Sequence, residues 1–344
     1  MTNQPALDYD GLSNAPRLLM EARLKPLQGD RFQPTGFSNL GPARYTTPEG
    51  VEMLIVESTQ SVANRMEMAC WNPVDDDLIE ALRGLPYIRV KNPDGTSLTN
   101  SVLESHRINS EYIAGDKNGS FVGRFCEEAG YTKGKPINWS KFHRALLKYD
   151  VGSLLHGSFL EEIDGRLRVT RLLSGFIEAK HVRVAESGGV KASRVDPTVK
   201  GGGGSVPFSR TEFTAREMKA SFNLDLALLR GYGLGENATH LLIALALFKV
   251  QRFLSSGLRL RTACDLELEG DLIVTRPTGF AVPPENALLK ECSGLVAKCK
   301  PLFADPSVTE VARHPAKAKA KGKDRKREAL DDGRDEAQTG DEDE

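Results

Sequence analysis

Hydrophobic and polar positions follow two periods along this chain. Over residues 17–25, Leu18, Met20 and Ala22 alternate on one face while Leu19 opens the other, the two-residue period of a strand. Residues 53–57 are a short apolar run and predict a buried strand. The period then lengthens. Val62, Met66, Ala69 and Cys70 form an inward helical stripe behind a cap at Ser58, and Gln60, Asn64 and Glu67 share a different face.

Further on, helices are predicted at 75–82, 121–129 and 139–149, the last capped by Asn138. Residues 87–99 read as a hairpin turning at Asn92-Pro93-Asp94-Gly95. Strands are expected at 158–163 and 166–173 around Asp164-Gly165, then at 175–184 and 214–222. A helix capped by Thr239 is apolar nearly all round, through Leu241, Leu242, Leu245, Leu247, Phe248 and Val250, so it belongs in the core. Residues 262–269 and 272–276 are expected to pair around Glu269-Gly270-Asp271, and the final helix covers 285–298.

Between these elements the pattern breaks down in three places. Residues 1–15 read as a flexible lead, and the Gly/Pro-punctuated loop 26–48 resists regular structure. Residues 186–208 combine a run of glycines with few apolar side chains, too few to offset an ordering cost of about 1–2 kcal/mol per residue without a partner. After Val311 an Ala/Lys repeat gives way to acidic residues, the signature of a disordered charged tail. The order of elements indicates an α+β fold in a single domain over residues 16–310, with a helical insertion at about 75–150.

Composition adds limits. The 344 residues are 40% hydrophobic and 27% charged, as in an ordinary soluble globular protein. The strongest apolar run, 241–248, falls far short of the roughly 20 residues that span a bilayer, and the N-terminus lacks the apolar core of a secretory signal. Cytoplasmic location without membrane contact is expected. The five cysteines form no C-x-x-C pair and have no histidine at zinc-like spacing, which fits reduced, core-filling thiols and no metal. Net charge is −1; nine Lys/Arg and ten Asp/Glu from Arg313 onward leave 37 of each sign in the body. Any nucleic-acid affinity must therefore come from a local cluster.

One such cluster stands out. Arg31, Phe32, Gln33 and Thr35 sit on the bendable loop after the first strand, and Gln60, Ser61, Asn64 and Arg65 open the following helix. A guanidinium fork, an aromatic face, amides and the unpaired N–H groups of a helix start are what single-stranded nucleic acid offers partners to. The competing readings are a Phe that anchors its loop to the core, and an ordinary polar helix face.

Three strings carry more than composition: Gln28-Gly-Asp-Arg-Phe-Gln-Pro-Thr-Gly36, Glu57-Ser-Thr-Gln-Ser-Val-Ala-Asn-Arg65 and Val206-Pro-Phe-Ser-Arg-Thr-Glu-Phe213. Together they resemble the RAMP-superfamily backbone subunit of CRISPR Cascade complexes, in the type I-G (formerly I-U) branch. The resemblance implies an RRM-like (ferredoxin-like) palm, a helical finger insertion and a flexible β-hairpin thumb at about 186–210. Its implied role is to bind CRISPR guide RNA (crRNA) as a ribonucleoprotein. Copies would polymerise head to tail along the spacer beside other Cascade subunits, and present it to target DNA in antiviral defence. Arg31, Phe32, Gln33, Thr35, Gln60, Ser61, Asn64 and Arg65 would touch the guide, and Lys191, Arg194, Lys200 and Arg210 would clasp it from the thumb.

Catalytic chemistry is sparse. The histidines are scattered, with no H-E-x-x-H, no nucleophile elbow and no Lys-Ser/Thr after Gly231-Tyr-Gly-Leu-Gly235. No catalytic residue and no cofactor are expected. The rival reading is a sequence-tolerant endoribonuclease using the loop aspartate Asp196 or the cluster Asp75, Asp76 and Asp77.

Overall fold

A computed structural model describes residues 7–37, 41–116, 120–191 and 206–313. The elements used below are β1 (Arg17–Pro26), β2 (Arg44–Thr46), β3 (Glu52–Glu57), α1 (Thr59–Met68), β4 (Tyr87–Lys91) and β5 (Ser97–Asn100). The helices α2 (Phe121–Glu128), α3 (Trp139–Tyr149) and α4 (Val151–His156) follow. Next come the short β6 (Ser158–Phe159) and β7 (Arg168–Val169), then β8 (Leu173–Lys180), β9 (Arg183–Lys191), β10 (Val206–Thr214) and β11 (Glu217–Asp225). The chain continues through α5 (Leu226–Gly231), α6 (Glu236–Ser256), β12 (Arg259–Arg261), β13 (Cys264–Leu268), β14 (Ile273–Arg276), α7 (Glu285–Cys299) and β15 (Val308–Ala312).

The first strand is central to the main sheet. Its alternation predicts one buried face, and Leu18, Met20, Ala22 and Leu24 are buried there. The antiparallel sheet runs β12-β13-β1-β11-β8-β3-β2, with β14 pairing a second stretch of β1. Registers such as Met20↔Phe222 and Ala220↔Ile177 put apolar side chains of β1, β11 and β8 side by side on the same face. Helices α1 and α6 cover that face, α1 against β8 and α6 against β11 and β13, while α7 packs on α6. By length and composition alone α6 could cross a membrane, yet most of its apolar stretch is buried inside the fold. The other face of the sheet stays open and polar; Lys219 pairs there with Glu21 at 3.1 Å and Tyr45 donates to Glu178 at 2.7 Å.

Several elements form as expected. Ser58 Oγ accepts from the Ser61 N–H and starts α1, and Asn138 caps α3 by accepting from the Lys141 N–H. The β4–β5 hairpin turns at Asn92-Pro-Asp-Gly, with Gly95 at φ +85°. All five cysteines are free thiols, four of them buried.

Other elements differ, each for a local reason. Residues 75–82 are not a helix. Trp71–Asn72 pairs with Asp77–Leu78 and a 3₁₀ turn follows, because Asn72 and the aspartates bond locally to side chains and backbone instead of letting a helix propagate. The expected strand 175–184 breaks in two at His181, whose φ is +54°. Strands β13 and β14 do not pair with each other; both hydrogen-bond to β1, at opposite ends of it. The long strands expected at 158–173 shrink to the two-residue β6–β7 ladder. Helix α6 begins at Glu236, and Thr239 Oγ donates back to the Gly235 carbonyl at 2.8 Å rather than capping the start.

The lead is packed from Leu7 onward: Leu7 and Leu12 are buried, and Tyr9 stacks on His240 with ring centroids 3.8 Å apart. At the other end, β15 lies parallel to β4, so the ordered chain extends past Val311. The segment expected to be least orderable is, in its described parts, a ladder. β9 and β10 pair from Arg183↔Thr214 to Lys191↔Val206, as a two-stranded ladder separate from the main sheet.

Candidate nucleic-acid interface

The Arg31 loop leaves β1 and immediately turns back onto the hairpin root. Phe32 and Phe213 each donate a backbone N–H to the other's carbonyl at 2.9 Å. The Phe32 ring is fully buried, 6.4 Å from the Phe213 ring. It therefore offers no free face to a base in this conformation. Of the two readings of this residue, the structure shows the anchor, since burying an aromatic ring stabilises the loop's attachment more than an exposed ring could.

Arg31 beside it points outward: its side chain is 59% exposed, with Nη1 3.1 Å from Glu212 Oε2. Glu212 is itself buried, accepts from Ser187 Oγ at 2.8 Å, and has Arg210 Nη1 at 3.7 Å. Two guanidinium groups thus meet one carboxylate at the hairpin root. Gln33 and Thr35 are half-buried and act through their backbone, donating to the carbonyls of Ala263 at 2.7 Å and Val56 at 3.3 Å.

A second arginine pair lies where the loop meets β3. Glu57 is fully buried, and its Oε1 receives Arg65 at 3.2 Å and Arg261 closer still. Arg261 Nη1 also donates to the Gln33 carbonyl at 2.9 Å. Arg65, expected to face the ligand, instead clamps Glu57 and the Leu260 carbonyl and keeps about a quarter of its side chain exposed. Arg261 has no signal in the sequence, because only the tertiary fold brings β12 against this loop.

At the start of α1, Ser61 is held by the Ser58 cap through its backbone. Gln60 donates to Asn64 Oδ1 and to the Ser105 carbonyl, both at 3.0 Å, and accepts from Arg171. These contacts tie α1 to the insertion and border a cavity of about 720 Å³. Arg171 and Phe159 also line that cavity, outside the residues marked by the sequence. The run Arg166-Leu-Arg-Val-Thr-Arg171 just after Phe159 was the available signal. Half-burial lowers the Arg171 pKa, helped by the neighbouring Arg107 charge.

Lys191 ends β9 opposite Val206, while Arg194, Lys200 and Asp196 lie outside the described residues. Arg31 and Arg210 are thus brought together at Glu212, and Gln60 with Asn64 on α1. The other acidic cluster is occupied. Asp75 pairs with Arg83 at 2.5 Å, and Asp77 accepts from the Tyr87 hydroxyl at 2.9 Å with Arg83 and Arg89 close by. Among the described residues no group of three or more His, Cys, Asp or Glu side chains could hold a metal ion.

Behind the site lies a buried ionic layer. Arg107, at φ +53°, forks onto Glu67 with contacts of 2.8 and 2.6 Å. Lys249 Nζ is 2.9 Å from His156 Nε2, and burial together with the Lys249 charge holds that imidazole well below its usual pKa. Asp150 accepts from Ser153 Oγ at 2.6 Å, and burial pushes its pKa up to about 6. These residues come from α1, α4, α6 and the turn at 107–109, so the layer joins the sheet's helices to the insertion.

The fold and these clusters define an α+β protein with a paired hairpin rooted beside a cationic loop. Residues 18–184, just under half of the chain, match the family described as CRISPR-associated protein GSU0053, which is of the RAMP type. The resemblance carried by the three sequence strings is borne out at this level. No curated protein matches the chain. Among solved structures it is similar to a chain of a "CRISPR RNA-guided surveillance complex, pre-nicking", at 16% identity over 73% of this chain and 74% of that one, with a TM-score of 0.42. It is also similar to Csc2 of Thermofilum pendens, at 10% identity over 87% and 82%, with a TM-score of 0.29.

Proposed function

We propose that the chain is a non-catalytic, cytoplasmic backbone subunit of a type I-G Cascade effector. It binds guide RNA, lines up in several copies head to tail along the spacer beside other Cascade subunits, and presents that spacer to target DNA. The observation that carries this reading is one continuous chain of contacts. The Arg31 loop is bonded to the hairpin root through Phe213 and Glu212, and to α1 through Arg261, Glu57 and Arg65. Along it four guanidinium groups face two carboxylates, a local cationic excess in a body that is neutral overall.

The sheet supports the palm assignment. Taken as the strands of an RRM-like unit, β1, β8, β11 and β13 stand in the order β13-β1-β11-β8, with α1 and α6 as its two helices on one face. The β9–β10 hairpin, between the second and third of these strands, is then the thumb, and residues 75–150 the fingers. Affinity comes from phosphate contacts, and sequence choice is delegated largely to pairing by the guide.

The test is to co-express the full chain with a CRISPR array and its neighbouring genes, purify it, and sequence the RNA that travels with it. Uniform repeat-spacer guides in a large particle are expected. Absence of RNA overturns the reading, and metal-dependent cleavage of RNA by the purified chain would favour the endoribonuclease instead.

A further inference from the structure

The cavity beside α1 has chemistry that phosphate contacts do not use. Its walls are the 104–111 segment and the β6–β7 ladder, and Gln60 closes one side. Gly157, at φ +78°, fixes the junction of the ladder, because a Cβ there would fall 2.8 Å from the Val169 carbonyl oxygen. Phe159 is 38% exposed, and the Arg168 guanidinium lies 4.3 Å from its ring centroid. Arg171 is half-buried, donates to Gln60, and has no ion-pair partner among the described residues. Glu161 and Glu162 are exposed on the same cavity, also without an ion pair among the described residues.

These groups sort the possible occupants. Carboxylates facing the same space as guanidinium groups cancel the potential that would hold a phosphate. An apolar peptide side chain would leave the charged walls unmatched. A nucleobase uses all of them: a planar face against Phe159 and Arg168, ring carbonyls for the remaining donors of Arg171, and amino groups for the carboxylates.

We propose that this cavity receives one base of a bound single-stranded RNA and prefers a base with an exocyclic amino group. The base packs on Phe159, and its amino group donates to Glu161 or Glu162. Uracil carries a carbonyl where cytosine carries that amino group, and so sets an acceptor against a carboxylate. The inference rests on the RNA-binding reading above and adds a base preference that backbone contacts cannot supply.

The test compares oligocytidine and oligouridine of equal length for binding to the full chain, wild type against Phe159→Ala and against a Glu161→Gln/Glu162→Gln double variant. Thermal melts confirm that each variant folds. Wild type is expected to bind oligocytidine about tenfold more tightly. Both variants should bring the ratio close to one without changing the salt dependence. Equal binding of the two oligomers by wild type overturns the pocket while leaving RNA binding in place. A cytidine preference that survives in both variants places the discrimination elsewhere and also overturns it. Failure of folded wild type to bind either oligomer removes the RNA-binding reading, and the pocket with it.

Discussion

Arg261 reaches across from β12 to donate to the backbone carbonyl of Gln33 at 2.9 Å, while its other terminal nitrogen bonds the buried carboxylate of Glu57. Residues more than two hundred positions apart thus fix the shape of the loop that carries Arg31. That loop is braced at two consecutive residues, Phe32 by the hairpin root and Gln33 by Arg261. Arg31 can stay exposed because its neighbours, not Arg31 itself, supply the anchoring.

Phe32→Ala removes that anchor. The ring is fully buried, and emptying such a site costs about 3–5 kcal/mol. Urea unfolding should show a loss of this size. An unchanged midpoint would mean that the ring does not hold the loop.

Arg31→Ala should act on binding instead. Its side chain is 59% exposed and Glu212 keeps Ser187 and Arg210 as partners, so stability should change by less than about 1 kcal/mol. RNA affinity should fall evenly across guide sequences, and the slope of log affinity against log salt should shrink by about one. Filter binding across a salt series reads both. A loss confined to one sequence would refute a phosphate role.

The Glu67–Arg107 pair is buried on both sides. Arg107→Met leaves the Glu67 carboxylate without its fork and should cost about 3–5 kcal/mol, while adding Glu67→Met should recover much of that loss. A double-mutant cycle by chemical denaturation measures the coupling. Simple additivity of the two changes would show that the pair is not a unit.

Asp150 predicts a pH dependence. Folded, burial makes it hold its proton to about pH 6, against an ordinary aspartate value of 3.8. Between these values the folded state binds more protons than the unfolded one, so its stability contribution is present at low pH and falls as pH rises through that window. The full effect is roughly 3 kcal/mol. Asp150→Asn should flatten this part of the profile and be more stable than wild type at pH 7.5, measured by urea unfolding at pH 4 and 7.5. A variant that is less stable at pH 7.5 would show that the charged form is the one the fold uses.

How far the sequence could be read depended on the range of the interactions. Strand β1, the capped helices α1 and α3, the β4–β5 turn and helix α7 follow from local period and capping, which neighbouring residues decide. The failures share a cause too. Residues 75–82 had the composition of a helix, but side chains there bond to their own backbone and to Arg83 and Tyr87. Tyr9 gained its place from His240, and β15 from β4.

The candidate site divides in the same way. By itself the sequence carried the family resemblance, through strings of adjacent residues, and it marked the Arg31 loop and the start of α1 as polar and cationic. Only the tertiary structure decided that Phe32 points inward, that Arg65 and Arg261 share Glu57, and that Phe159 and Arg171 line one cavity with Gln60. Periodicity and capping are properties of residues a few positions apart, whereas the burial of a ring or the sharing of a carboxylate depends on which distant strand the fold brings alongside.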